Sequence, residues 1–282
     1  MNKIKLYTNY AGFCYSKENH AIKGGRNINI KFHALWVLIQ HPHHGYILFD
    51  TGYTRRFYDV TRYFPDKIYA MITKVVVEEQ DEIKHQLLRN NISPNEIKHI
   101  IISHFHADHI GGLLDFPNAV IYTSKDAYEY FNKIPNVIAF SKGILKKLVP
   151  LDIEQRLEFI EEKSKISKND DFEKVYDLFD DNTINLIPLP GHAPGQMGLM
   201  LQTEKAKYFF IADACWLRKS FEENILPNKL AKLIIHSWKD LKETQIKIHN
   251  FFKNNPDINI VPTHCYDSTK VLVSDKINFD VL

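Results

Sequence analysis

The stretch His99-Ile100-Ile101-Ile102-Ser103-His104-Phe105-His106-Ala107-Asp108-His109-Ile110-Gly111-Gly112 decides how this chain reads. Its first part, through Ser103, is a short run of β-branched residues with the signature of a strand buried on both faces. That strand runs straight into three histidines and one aspartate within six residues. Imidazole and carboxylate are good ligands for zinc and related divalent ions. A solvated loop or a packed core histidine accounts for any one of these residues, but not for His-x-His-x-Asp-His as a unit. The alternating positions His104 and His106 can aim at one ion while Asp108 and His109 turn toward a second. Gly111 and Gly112 permit close packing where the loop folds back.

Working outward, further strand-like runs flank this motif. Before it lie Lys3 to Tyr7, Asn29 to Gln40 and Tyr46 to Phe49, with His43-His44-Gly45 as the turn between the last two. Leu35 to Ile39 is continuously apolar, which marks its strand as two-sided. Asp50-Thr51-Gly52 closes the third strand in a tight turn. Glu78 to Asn90 reads as a helix with Ile83, Leu87 and Leu88 on one face, and Ser93-Pro94-Asn95-Glu96 carries a capping-box signature. After the motif come a strand at Ala119 to Thr123 and a helix at Lys125 to Phe131. Residues 132–180 are strongly charged and helix-like, with runs such as Glu161-Glu162-Lys163 and Asp170-Asp171. They read as part of a helical insertion, at about 124–182, lying over the core. Strands at Thr183 to Leu189, Met197 to Gln202 and Lys207 to Ala212 follow. A capping box at Ser237 to Asp240 then opens an amphipathic helix with Leu241, Ile248 and Phe252 on its stripe. A last strand, Ile258 to Val261, delivers Pro262-Thr263-His264.

Three more candidate ligands sit at strand ends. His192 lies in a Gly-His-Ala-Pro-Gly turn, Asp213 ends the Tyr208 to Ala212 run, and His264 ends the last strand. Strand termini on one rim of a sheet can converge on one site. Asp50 reads as a hydrogen-bonding partner for a ligand histidine rather than as a ligand. Strands interspersed with helices in both halves predict an α/β layered sandwich, with residues 1–282 forming a single domain.

Composition bounds the function classes. The chain has 282 residues, 44% hydrophobic and 25% charged, close to globular averages. Lys plus Arg is 36 against 34 Asp plus Glu, a net charge of +2, which gives no electrostatic reason to expect nucleic acid or an anionic membrane. No apolar run approaches the ~20 residues of a membrane span, and the start, Met1 to Tyr10, lacks the apolar core of a secretory signal. Three cysteines, Cys14, Cys215 and Cys265, build no disulfide framework. The expectation is a cytoplasmic protein with a sizeable core.

On its motif, Gly-Gly pair, Asp50-Thr51-Gly52, His192, Asp213 and His264, the chain resembles the metallo-β-lactamase superfamily, and within it the N-acyl homoserine lactonase branch. The resemblance spans nearly the whole length. It implies a four-layer αββα sandwich with the site along one edge. His104, His106 and His192 would hold one metal, Asp108, His109 and His264 a second, and Asp213 would bridge them. The implied cofactors are two divalent ions per chain, zinc first, with iron, manganese or cobalt as alternatives. The implied chemistry is attack of a metal-bridged hydroxide on a small ester, a lactone first, with Asp108 as catalytic proton shuttle to the leaving alkoxide. The alternatives are a glyoxalase II-like thioesterase, a phosphodiesterase or phosphotriesterase, and a metal-containing binding or regulatory protein with low turnover. The expected partner is a small-molecule ester or lactone, with no nucleic acid or membrane and a possible homodimer.

The chain departs from the lactonase pattern at Trp216, three residues after Asp213, where similar lactonases carry a tyrosine that helps bind the lactone carbonyl. An indole N–H can donate one hydrogen bond but does not copy a phenol. Either another group, with Tyr266 as the candidate, takes over, or the substrate differs. Phe13, Tyr15, Tyr128, Tyr130, Phe131 and Phe140 are candidates for an acyl-chain groove or a dimer contact, against a reading as core packing.

Overall fold

A computed structural model describes residues 4–168 and 171–277; Lys3 and Asp170 of the runs above lie outside them. Thirteen strands form two sheets among the described residues. The first contains β1 (Lys5–Lys17), β2 (Asn29–His41), β3 (Gly45–Phe49), β4 (Val75–Val76), β5 (Ile97–Ile101), β6 (Val120–Thr123) and β7 (Leu157–Phe159), in the spatial order β4-β1-β2-β3-β5-β6-β7. The second contains β8 (Lys165–Ser167), β9 (Val175–Asp177), β10 (Asn185–Pro188), β11 (Met197–Gln202), β12 (Lys207–Ala212) and β13 (Ile258–Pro262), in the order β13-β12-β11-β10-β9-β8. Pairing is antiparallel from β8 to β12, while β3, β5, β6 and β7 run parallel, as do β12 and β13.

Strand alternation explains the layers. Along β2, Leu35, Val37 and Ile39 face the second sheet and meet Leu186, Leu199 and Phe210 in one apolar cluster. Trp36 and Leu38, between them, point outward and pack with Ile83, Leu87 and Ile110 of the covering helices. This double burial is why Leu35 to Ile39 lacks alternation. On the far side, Ile187, Phe209 and Ile211 point outward beneath Ile248 and Phe251 of the helix Trp238–Asn254. The order is helix, sheet, sheet, helix, the expected αββα sandwich. No helix among the described residues is long and apolar enough to cross a membrane.

Four expectations need correcting. The insertion is not purely helical: its short helices alternate with strands, β7 extending the edge of the first sheet and β8 and β9 that of the second. Periodicity over strands of three residues is too short to separate them from one helical turn. The Glu78 to Asn90 helix is broken at Glu82, whose extended backbone divides a 3-10 turn, Glu79–Asp81, from the helix Ile83–Arg89. Leu88 is exposed: Ile83 and Leu87, four apart, share the buried face, and Leu88 lies one step round the helix from it. In the long C-terminal helix the stripe continues through Phe251, leaving Phe252 half-buried.

Late in the chain, a segment returns to the first strand. Thr8 bridges to Val273 and donates its hydroxyl to the Leu272 carbonyl at 3.0 Å, and the Tyr10 hydroxyl meets Thr269 Oγ1.

Candidate metal centre

The topology gathers the candidate ligands without a long search. β3 and β5 are parallel neighbours, so Asp50 and the Ser103-His104 pair emerge side by side at their C-terminal ends. In the second sheet β10 leads into the His192 turn, and the parallel pair β12 and β13 delivers Asp213 and His264 together. One rim therefore holds all seven predicted ligands.

Their atoms converge. His104, His106 and His192 each place a ring nitrogen within 4.8 Å of the others, and Asp108, His109 and His264 form a second such group. Asp213 lies between, grouped with His104 and His109. Its Oδ2 is 2.9 Å from His264 Nε2 and 3.3 Å from His192 Nε2, and its Oδ1 is 3.4 Å from His109 Nε2. His106 Nδ1 and His192 Nε2 are 2.9 Å apart.

Hydrogen bonds on the far side of the rings fix which nitrogens face inward. Asp50, in left-handed backbone at φ 59°, accepts from Ser103 N at 2.8 Å, Ser103 Oγ at 2.7 Å and His109 Nδ1 at 2.7 Å. Ser103 Oγ in turn lies 3.0 Å from His104 Nδ1. His264 Nδ1 donates to the His33 carbonyl at 2.9 Å. These bonds place a proton on Nδ1 of His104, His109 and His264 and turn each Nε2 into the cluster. The loop is pinned from behind as well: Thr51 N donates to the His109 carbonyl at 2.7 Å, and a Cβ on Gly111 would sit 2.5 Å from the Gly52 carbonyl. Gly111 is thus dictated by close backbone approach.

Burial sets the charges. It drives His104 and His192 well below the usual imidazole range and His106 down to about 4, so these three are neutral with lone pairs to offer. Burial also opposes charge on His109 and His264, but Asp108 and Asp213 overcome it and raise both, with Asp50 adding to the effect at His109. Asp213, despite its own burial, is held well below the carboxylate range by His264, His109 and His192.

Four polar atoms of this cluster, His104 Nε2, His109 Nε2, His192 Nδ1 and Asp213 Oδ1, are buried without any hydrogen-bond partner. Each such group costs roughly 1–3 kcal/mol; His192 Nδ1 lies on the outer side of its ring, and the other three face the cluster and mark a position built for something that accepts lone pairs. Five imidazoles and two carboxylates are a donor set that suits divalent ions. The residues fit divalent metal.

A cavity of about 740 Å³ opens onto His106, Asp108, His192, Asp213 and His264. Of the aromatic residues considered for its wall, Tyr15 and Phe140 line it. Phe131 belongs to the core, with Tyr128 and Tyr130 packed against that cluster, and Phe13 lies edge-on to Tyr15. Trp216 reaches the site but spends its indole N–H on Asp213 Oδ2 at 3.1 Å. Tyr266 is half-exposed and lines a separate cavity of about 840 Å³ on the other side of His264. Cys215 and Cys265 are buried beside the cluster, and burial pushes the Cys215 thiol above the usual range. Sequence reasoning missed Ser103, although its place between a buried strand and a ligand histidine was a usable signal. It also missed the His33 carbonyl and Gly143, which are far from the motif in sequence.

Residues 31–244 match the family model described as the metallo-beta-lactamase superfamily, and the chain belongs to that family. It is an enzyme, a metal-dependent hydrolase. Among characterised relatives, it is 27% identical over 252 residues to an N-acyl homoserine lactonase of Bacillus cereus, covering 88% of this chain and 90% of that protein. It is 26% identical over 239 residues to the N-acyl homoserine lactonase AttM of Azorhizobium caulinodans, covering 83% of this chain and 85% of that one. Among solved structures it superposes on a B. thuringiensis AiiA variant with N-decanoyl-L-homoserine bound at the active site, with a TM-score of 0.73, 19% identity and 96% of each chain covered.

Proposed function

We propose that this hydrolase is a lactonase acting on N-acyl homoserine lactones, with a binuclear site. One observation carries the reading: a buried group of five histidines and two aspartates, with unpartnered atoms turned inward, opens onto a cavity with a partly apolar wall. His104, His106 and His192 would hold one ion, Asp108, His109 and His264 the other, and Asp213 both. Zinc is the proposed metal, since neutral imidazoles and carboxylates are its usual partners. Two divalent ions, when bound, supply Lewis acidity toward a carbonyl oxygen and a water of lowered pKa.

The protein's own groups do the rest. Asp108 would carry a proton to the leaving alkoxide oxygen when the ring opens, a role supported by its carboxylate lining the cavity, with Oδ2 3.4 Å from His264 Nε2. Tyr15, Ile72 and Phe140 offer an apolar wall for the acyl chain and keep bulk water from it. Trp216 holds Asp213, so it is not the donor that meets the substrate carbonyl.

The test is metal content of the purified protein together with pH-monitored hydrolysis of short- and long-chain acyl homoserine lactones. Two ions per chain with acid release is the expected result. Two ions without acid release would end the lactone reading and move the search to thioesters and phosphodiesters.

A further inference from the structure

The insertion does more than cover the core: at Gly143 it touches a ligand. This residue ends the 3-10 turn Phe140–Lys142 in left-handed backbone, φ 75°. Its carbonyl accepts from Ala107 N at 3.0 Å, which ties the turn to the start of the helix Ala107–Ile110 that carries Asp108 and His109. A Cβ built at position 143 would lie 2.8 Å from His106 Cδ2, 3.0 Å from Cγ and 3.1 Å from Nε2. The blocked atoms include the root of the ring, so His106 can yield only by rotating the whole imidazole. Rotation would turn Nδ1 away from His192 Nε2, 2.9 Å distant.

We propose that Gly143 is a positioning residue for His106: the bare backbone of the insertion rests against the imidazole and holds its Nδ1 toward His104 and His192. This rests on the reading that the cluster binds metal, and it is independent of the substrate. Retention of the ion held by His104, His106 and His192 then depends on a turn more than thirty positions further along the chain. Orienting partners of ligand histidines typically set metal affinity by about 10- to 100-fold, and steric backing serves the same purpose.

Glycine at φ 75° could also be required by its backbone alone, and substitutions separate the two causes. Asparagine tolerates left-handed backbone whereas alanine does so poorly, yet both bring a Cβ. Gly45 is the control, since its φ is 70° and a Cβ there meets nothing within 4 Å. In equilibrium dialysis with zinc followed by chelator challenge, wild type and Gly45→Asn are expected to retain two ions per chain. Gly143→Asn and Gly143→Ala are both expected to retain one, with the other weakened about 10- to 100-fold. Two ions held as tightly by Gly143→Asn as by wild type would overturn the inference. A wild type that binds none would instead overturn the metal reading beneath it.

A second measurement guards against misfolding. In a His106→Ala background the obstructing ring is gone. Gly143→Asn should then lower the melting temperature of the metal-free protein much less than it does in wild type. An equal drop in both backgrounds would show that Gly143 does not act through His106.

Discussion

Two histidine clusters sit at opposite ends of the same strands, and they are built to opposite ends. The first is the convergent group at the C-terminal rim. The second surrounds the turn between β2 and β3, where His41, His44 and Asp181 also bring ligand atoms within 4.8 Å of one another. By proximity alone both qualify as metal sites. The difference lies in what the nitrogens are already doing. His41 Nδ1 accepts from the backbone N–H of His43 and of His44, each at 3.1 Å, so its proton sits on Nε2, which faces Thr183 Oγ1 at 2.9 Å and Asp181 Oδ2 at 3.3 Å. His44 stacks on Phe179 with ring centroids 3.8 Å apart. At the turn His41 is a structural tie with both ring nitrogens bonded; at the rim His104 and His109 have their outer Nδ1 bonded and their inner Nε2 without a partner. Residue type and distance do not make a metal site, whereas unspent lone pairs facing one another do.

The sharpest way to break this contrast is a matched pair of substitutions. His106→Ala should strip at least one ion and lower hydrolysis by about 10³-fold or more, as expected when ion-based stabilisation worth several kcal/mol is lost. His41→Ala should leave metal content unchanged and destabilise the fold by about 1–3 kcal/mol, because two backbone N–H groups lose their acceptor. Metal analysis and urea unfolding of both variants decide the matter; a fully active His106→Ala would end the binuclear reading. Asp50→Asn comes next. It weakens the acceptor that orients His109 and Ser103, and metal affinity should drop about 10- to 100-fold by competition with a chelator. No loss there would mean that the outer bonds do not set the inner lone pairs.

A smaller effect is expected at Trp216. Trp216→Phe removes one neutral hydrogen bond to Asp213, worth about 1 kcal/mol, and should change kcat by less than about tenfold with KM nearly constant. A large rise in KM would place the indole on the substrate instead. The smallest effect is in pH dependence at the turn end. Burial, with His44 and His41 nearby, lowers His99 from 6.5 to about 4. Between those values the unfolded chain binds more protons than the folded one, so stability is full above about 6.5 and declines as the pH falls toward 4. His99→Phe should flatten that slope in urea titrations at several pH values, while metal content stays at the wild-type level.

Much of this was legible from residues alone, for physical reasons. A ligand motif at the end of a buried strand must lie on a sheet rim, and other strand ends carrying His or Asp have only that rim to meet on. Asp50 was expected to bond a ligand histidine, and the structure shows that the histidine is His109. The parts that were not legible depend on three-dimensional proximity with no local trace. Nothing in the sequence around Gly143 says that an imidazole lies across its Cα. Strands β7 to β9 are too short for their period to register, and the charges at Glu161, Glu162 and Lys163 suit either an exposed helix or a sheet edge. Trp216 marks the limit of analogy: the sequence showed that the residue differs, and the structure shows that its N–H is directed at Asp213.

The return of the late segment onto β1 bears on the order of events during folding. His264 is oriented by the His33 carbonyl of β2, and the residues just beyond it are tied to Thr8 and Tyr10. These contacts join positions more than 200 residues apart, and non-local pairing of this kind forms slowly because loop closure must come first. His104, His106 and His192 are joined without this closure, whereas the orientation of His264 depends on it. The position of His264 is therefore tied to the closure of some of the longest loops in the chain.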